Sequence, residues 1–166
     1  MVSGNVAVTM FERDAAHPFL DSVWVRASID WQEKSTRLFR ICVINEEHYT
    51  LASERFPCTE LDTSRAWVRV PMPAVELPER FGIGVAWPGE GPPLRLDIDP
   101  DAGASCSYLR DASGEWRSFG GDTNWMIRPE LTLQPEPGRG VHRLRDWQRP
   151  VERIRIWPPL RKLSHL

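Results

Sequence analysis

The segment Asp97-Ile98-Asp99-Pro100-Asp101-Ala102-Gly103 sets carboxylates at alternate positions, an arrangement suited to a hard, oxygen-seeking cation such as calcium. It is not an EF-hand loop. The glycine falls one residue late, and the twelfth position is Tyr108 where a bidentate Glu is needed. A loop between strands could still hold a structural Ca²⁺ through Asp97, Asp99 and Asp101. The competing reading is a strand-end turn with solvated carboxylates. No other cofactor is implied.

The remaining reactive residues are scattered. His17, His48, His142 and His165 form no His-x-His or His-x₃-His pair for a metal. The three cysteines, Cys42, Cys58 and Cys106, are odd in number, widely spaced and without a Cys-x-x-Cys, which argues against a disulfide framework or a zinc site. Cys58 and His48 are a nucleophile–base pair only if the fold brings them together. Ser3-Gly4-Asn5 and Ser113-Gly114-Glu115 do not resemble a nucleophile elbow, and no glycine loop with a lysine is present to cradle phosphate. Glu46, Glu47, Glu76 and Glu79 are glycosidase candidates only in the sense that any Glu is. The expectation is a protein that is not an enzyme.

Eight tryptophans are spread along the chain. Trp31, Trp87 and Trp125 share the apolar side of their strands and read as core. Trp24 falls opposite Val23 and Val25, and Trp67 opposite Ala66 and Val68, so both can point outward. Trp116 follows a turn. Exposed rings of this kind stack on pyranose C–H groups or anchor a protein interface. Arg128 lies opposite Trp125 and Ile127, where a partner acid across the sheet is expected.

Charge divides the chain. Residues 134–166 hold eight Lys and Arg against three Asp and Glu, +5; the remainder holds 13 against 20, −7; the whole is −2. The basic part interleaves Arg143, Arg145, Arg149, Arg153 and Arg155 with Trp147 and Trp157, a pattern that can stack bases and contact phosphate. A pI near 6.1 argues against nucleic acid. A docking segment for an acidic protein, or for the acidic body of its own chain or a twin, fits better. No signal peptide and no membrane-length apolar run are visible, so a reducing cytoplasm is expected, or an extracellular setting if the chain is an excised domain.

These residues must be positioned by strands. At 166 residues one domain is expected, able to bury roughly 70% of its surface. Apolar residues alternate at Val6–Met10, Val23–Trp31, Ala66–Val70, Phe81–Trp87 and Leu94–Ile98, with further strands at 37–44 and 105–110. Pro71-Met72-Pro73 is expected to end its strand. His48–Phe56 is ambiguous between helix and strand. Gly82, Gly84 and Ala86 leave one face of their strand nearly bare, which lets another side chain, or a ligand, approach the backbone. Gly120–Leu133 reads as a turn and a closing strand with Trp125, Ile127, Leu131 and Leu133 on one face. The count is about eight to ten strands, an all-β, two-sheet antiparallel sandwich of jelly-roll-like kind. The sandwich is assigned to 1–133, and 134–166 to a basic extension after a Pro- and Gly-rich linker, with one more strand at Arg153–Trp157 able to add to a sheet edge.

Residues 76–131 resemble the terminal β-sandwich module of many bacterial and archaeal multidomain proteins. The carriers are Val75–Phe81, the Gly-flanked strand through Val85, Leu96–Asp99, Ser107-Tyr108 before a Gly-Glu-Trp turn, and Asp122–Arg128 with its Asn-Trp-Met-Ile-Arg run. The resemblance implies a jelly roll similar to carbohydrate-binding modules, and no catalytic residues. The leading expectation is a non-catalytic binding or assembly subunit with a protein partner, or self-association, through the extension (Arg143, Arg145, Trp147, Arg153, Arg155, Trp157). The alternative is a carbohydrate-binding module using Trp24, Trp67 or Trp116. A hydrolase with an unrecognised site comes third.

Overall fold

The fold is a computed structural model that describes residues 4–28, 38–47, 49–61, 65–88, 94–100, 106–110, 113, 115–118, 123–135 and 141–142. Six long strands come first: β1 (Gly4–Glu12), β2 (Phe19–Ser28), β3 (Leu38–Asn45), β4 (Thr50–Pro57), β5 (Trp67–Glu76) and β6 (Arg80–Pro88). Shorter ones follow: β7 (Arg95–Leu96), β8 (Ile98–Asp99), β9 (Ser107–Arg110), β10 (Trp116–Ser118), β11 (Asn124–Trp125), β12 (Ile127–Thr132) and β13 (Val141–His142). The one helical element among the described residues is a 3₁₀ turn, Cys58–Glu60.

The strands form an all-β sandwich. One sheet runs β10-β9-β1-β6-β3-β4 and the other β12-β2-β5-β13, with β7 added against β2. β8 and β11 make a short separate ladder. β1 pairs with β6 while β2 pairs with β5, so two successive strands and the two that return to meet them cross together from sheet to sheet. That nested pairing is the winding of a jelly roll. Among the described residues every pairing is antiparallel except β13 with β5.

Alternation places the core. Phe39, Ile41 and Val43 of β3 and Phe81, Ile83 and Val85 of β6 point inward from one sheet. Leu20, Val23 and Val25 of β2, Val70 and Met72 of β5 and Ile127 of β12 meet them from the other. Phe39 packs on Phe56 with ring centroids 5.1 Å apart, and Phe11 stacks on Phe81 at 5.7 Å. Trp87 and Trp125 pack half-buried against this core, as expected. Trp31 lies outside the described residues.

The bare face of β6 is filled by side chains. Val8, Cys42 and Ile44 form a second apolar cluster on the outer side of that sheet, with Val6, Met10 and Trp116 packed against it. A methyl group placed on Gly82 would lie 2.7 Å from Ile44 Cγ1 and 2.9 Å from Met10 Sδ.

One ambiguity is settled and three expectations are corrected. The 48–56 ambiguity resolves to strand β4. β5 does not stop at its prolines but runs through Pro71 and Pro73 to Glu76. It can do so because, among the described residues, its outer neighbour β13 meets it at Ala74 and Val75, so that described ladder asks neither proline for an N–H. The 94–98 strand is two pieces. β7 pairs with β2 and β8 with β11, and the chain turns between them at Asp97, whose backbone bonds to Arg26 and Met126. The closing strand also breaks, at Met126: Trp125 pairs with Ile98, Ile127 opens β12, and Leu133 ends 61% exposed rather than in the core.

Within the extension, Val141–His142 joins the edge of the β12-β2-β5 sheet. The strand expected at Arg153–Trp157 lies outside the described residues.

Candidate binding face

The outer face of the β12-β2-β5 sheet gathers a set of charged side chains around two tryptophans. Period-two alternation puts Trp24 and Arg26 of β2, Trp67 and Arg69 of β5, and Arg128 and Glu130 of β12 on that side. Register then orders them in rows. Arg128, Trp24 and Arg69 stand side by side across three strands, and Glu130, Ser22 and Pro71 form the next row.

Ser22 is at this point because the pairing shifts. The ladders pass from Leu20 to Ser22 with Asp21 out of step, leaving Met72, Pro73 and Ala74 of β5 against Asp21 alone. β12 shifts at the same place, between Glu130 and Leu131. Leu20 and Val23 can therefore both be buried while Asp21 reaches the outer face.

Glu130 organises the face. One of its oxygens, Oε2, accepts from the Ser22 hydroxyl, from Trp24 Nε1 at 3.2 Å and from Arg69 Nε at 2.9 Å. The Ser22 hydrogen bond first, then Arg69, holds the Glu130 carboxyl below the usual carboxylate range. It is ionised at neutral pH and acts as an acceptor rather than a proton donor. Arg69 also reaches Asp21 Oδ2 at 2.6 Å.

A second set lies beside it. Arg26 Nε sits 3.1 Å from Asp97 Oδ2 and donates to the Arg65 carbonyl at 2.9 Å. Arg65 Nε is 3.9 Å from the same Asp97 carboxylate. Arg65 has φ of 55°, the left-handed region, and it comes just before Trp67 in the chain.

Arg128 differs from its neighbours. Its guanidinium carbon lies 4.4 Å from the Trp67 ring centroid, a cation–π contact. Among the described residues a ring stands where an acidic partner was expected, because β2 places Trp24, not a carboxylate, opposite Arg128. Trp24, Trp67, Arg128, Pro129 and Glu130 line a shallow groove of about 440 Å³.

The structure thus brings together two of the three candidate tryptophans, Trp24 and Trp67. Trp116 is on the other sheet, packed on Val8, Cys42 and Ile44. Asp97 faces Arg26 and Arg65, Asp99 pairs with Asn124 in the β8–β11 ladder, and Asp101 lies outside the described residues. Among the described residues no three His, Cys, Asp or Glu side chains converge. His48 and the extension residues Arg143, Arg145, Trp147, Arg153, Arg155 and Trp157 also lie outside them. Glu46 forms an ion pair with Arg80 at 2.9 Å. No helix among the described residues is long and apolar enough to cross a membrane.

Sequence reasoning missed Arg69, Glu130, Ser22 and Asp21. Arg69 and Glu130 were reachable by counting two residues on from Trp67 and Arg128. Ser22 and Asp21 were not, because the register shift that presents them carries no sequence mark.

The chain matches no described protein family, no curated protein and no solved structure.

Proposed function

We propose that this chain is a non-catalytic β-sandwich binding module that takes a protein partner on the outer face of the β12-β2-β5 sheet. The observation that carries it is the pairing of two half-exposed tryptophans with an exposed arginine in one groove. Trp and Arg are the residue types over-represented among the anchors of protein interfaces. Trp24 is held by Glu130 and Trp67 by Arg128, so little side-chain freedom is lost on binding. The basic extension supports the same reading by its charge: its last described residues, Val141–His142, join the same sheet at Ala74 and Val75, toward the Glu76 end of β5. The extension then adds a charged arm for an acidic partner.

The test uses tagged full chain in its native cells. Partners that co-purify with the wild type are expected to be lost from Trp24→Ala and Trp67→Ala proteins that keep the wild-type circular dichroism. Removal of residues 134–166 is expected to weaken capture further. Equal recovery of the same partners by all variants overturns the reading.

A glycan is the second reading, favoured by the groove's size and by Trp24 standing beside the polar groups of Glu130 and Arg128. Glycan-array binding that disappears in Trp24→Ala would establish it in place of the first.

A further inference from the structure

Among the described residues, Arg26, Arg65, Arg69 and Arg128 stand around the groove with Asp21, Asp97 and Glu130, and their pairing is uneven. Asp97 serves Arg26 and Arg65. Asp21 and Glu130 both serve Arg69. Arg128 is the cation left on a ring, exposed, at the wall of the groove.

We propose that Arg128 is the specificity-determining residue of this face and that it receives a carboxylate: the partner presents an Asp or Glu side chain next to an apolar one, the acid on Arg128 and the apolar group on Trp24. This rests on the reading of the face as a protein-binding site. The Trp67 ring, 4.4 Å from the guanidinium carbon, covers one side of the group, and the five N–H donors of the fork exceed what that contact uses, so donors remain for a bidentate acceptor. The contact also restricts the long side chain before the partner arrives. A phenylalanine or leucine beside the acid would meet the indole of Trp24, whose ring is fixed by Glu130. A partner cation at the same place would face Arg128 at short range, so the groove selects against basic segments as well as for acidic ones. Arg69 lies in the same row but is committed to two carboxylates, which points the incoming acid to Arg128.

The experiment selects a random twelve-residue peptide display library against the full chain and measures the selected peptides by titration. Acidic residues next to an apolar one are expected among the binders. Arg128→Gln should lower affinity about tenfold, with Arg128→Lys between it and the wild type. Changing the peptide acid to its amide should cost a similar factor in the wild type and nothing further in Arg128→Gln. Arg55→Gln, exposed on β4 of the other sheet, serves as the control. Peptides that bind through Trp24 and Trp67 but carry no acid, or that bind Arg128→Gln as well as the wild type, overturn the role of Arg128 and leave the protein-binding reading standing. A library that yields no binder, with a neutral glycan or a second copy of the chain bound instead, overturns both.

Discussion

Arg128 and Trp67 belong to strands that are not neighbours, yet the guanidinium carbon of one lies 4.4 Å from the ring centroid of the other. The arginine reaches across β2, roughly 10 Å between backbones at ordinary strand spacing, to cover the ring. The contact ties the two sides of the binding face together. Glu130, two residues further along β12, does the same for Trp24 and Arg69.

Glu130 gives this face a pH dependence. Its folded carboxyl titrates below its ordinary value of 4.5, so its contribution to stability is present above that value and is lost as pH falls through the lower, folded one. Glu130→Gln should therefore be less stable than the wild type at pH 7, and the gap should shrink at pH 3.5. Urea midpoints at the two pH values check this; a gap that stays constant would show that hydrogen bonding alone, not charge, is at work.

The clearance at Gly82 predicts a steric penalty. Gly82→Ala pushes a methyl into Ile44 and Met10, and the strain of overpacking is typically about 1–3 kcal/mol. Gly84→Ala, whose nearest neighbours are Val8 Cγ2 at 3.3 Å and Val6 Cγ1 at 3.4 Å, should cost less. Shortening Ile44 to Ala in the Gly82→Ala background should restore part of the loss, so the double variant should be more stable than additivity requires. Chemical denaturation of the four proteins in the Gly82–Ile44 cycle measures it.

Arg65 is in the left-handed region without being glycine. That conformation costs a side-chain-bearing residue roughly 1–2 kcal/mol, which glycine avoids at the expense of unfolded-chain entropy. The Asp97 contact at 3.9 Å is long and half-exposed, so it offsets little. Arg65→Gly is expected to be neutral or up to about 1 kcal/mol stabilising by thermal melt. A clear loss of stability would mean that the Asp97 contact outweighs the backbone strain.

Cys42 should be chemically silent in the native protein. It is 3% exposed, and burial pushes its thiol up to about 11, so little thiolate is present at pH 8. Alkylation with iodoacetamide followed by peptide mapping should label Cys58 and Cys106, which are half-buried, well before Cys42. Urea should abolish the difference. Labelling of Cys42 at the same rate as the others in native buffer would contradict its burial.

Much of the fold was legible. The alternations at Val23–Val25, Val68–Val70 and Phe81–Val85 became β2, β5 and β6 with the expected faces inward, apart from Val68, which is only half-buried. Nine strands of three or more residues are described, against about eight to ten expected. The bare face of β6 is met by side chains, one of the two outcomes open to it. Where expectation failed, the cause was pairing. Pro71 and Pro73 do not end β5 because that edge asks for hydrogen bonds elsewhere, and 94–98 splits because its halves pair with different strands.

The sequence by itself determined that the chain folds as strands and, with exceptions such as Val68 and Leu133, which residues of each face inward; for Trp24 and Trp67 it allowed an outward position. Period two is a local property, fixed by the geometry of one extended strand. Only the tertiary structure decided that Trp24 stands between Arg128 and Arg69, that Glu130 meets Ser22, and that Arg128 covers a ring rather than pairing with an acid. Those neighbours are set by the order of strands and by a register shift at Asp21. Both arise from how two whole sheets bury a common core, and no single strand encodes them.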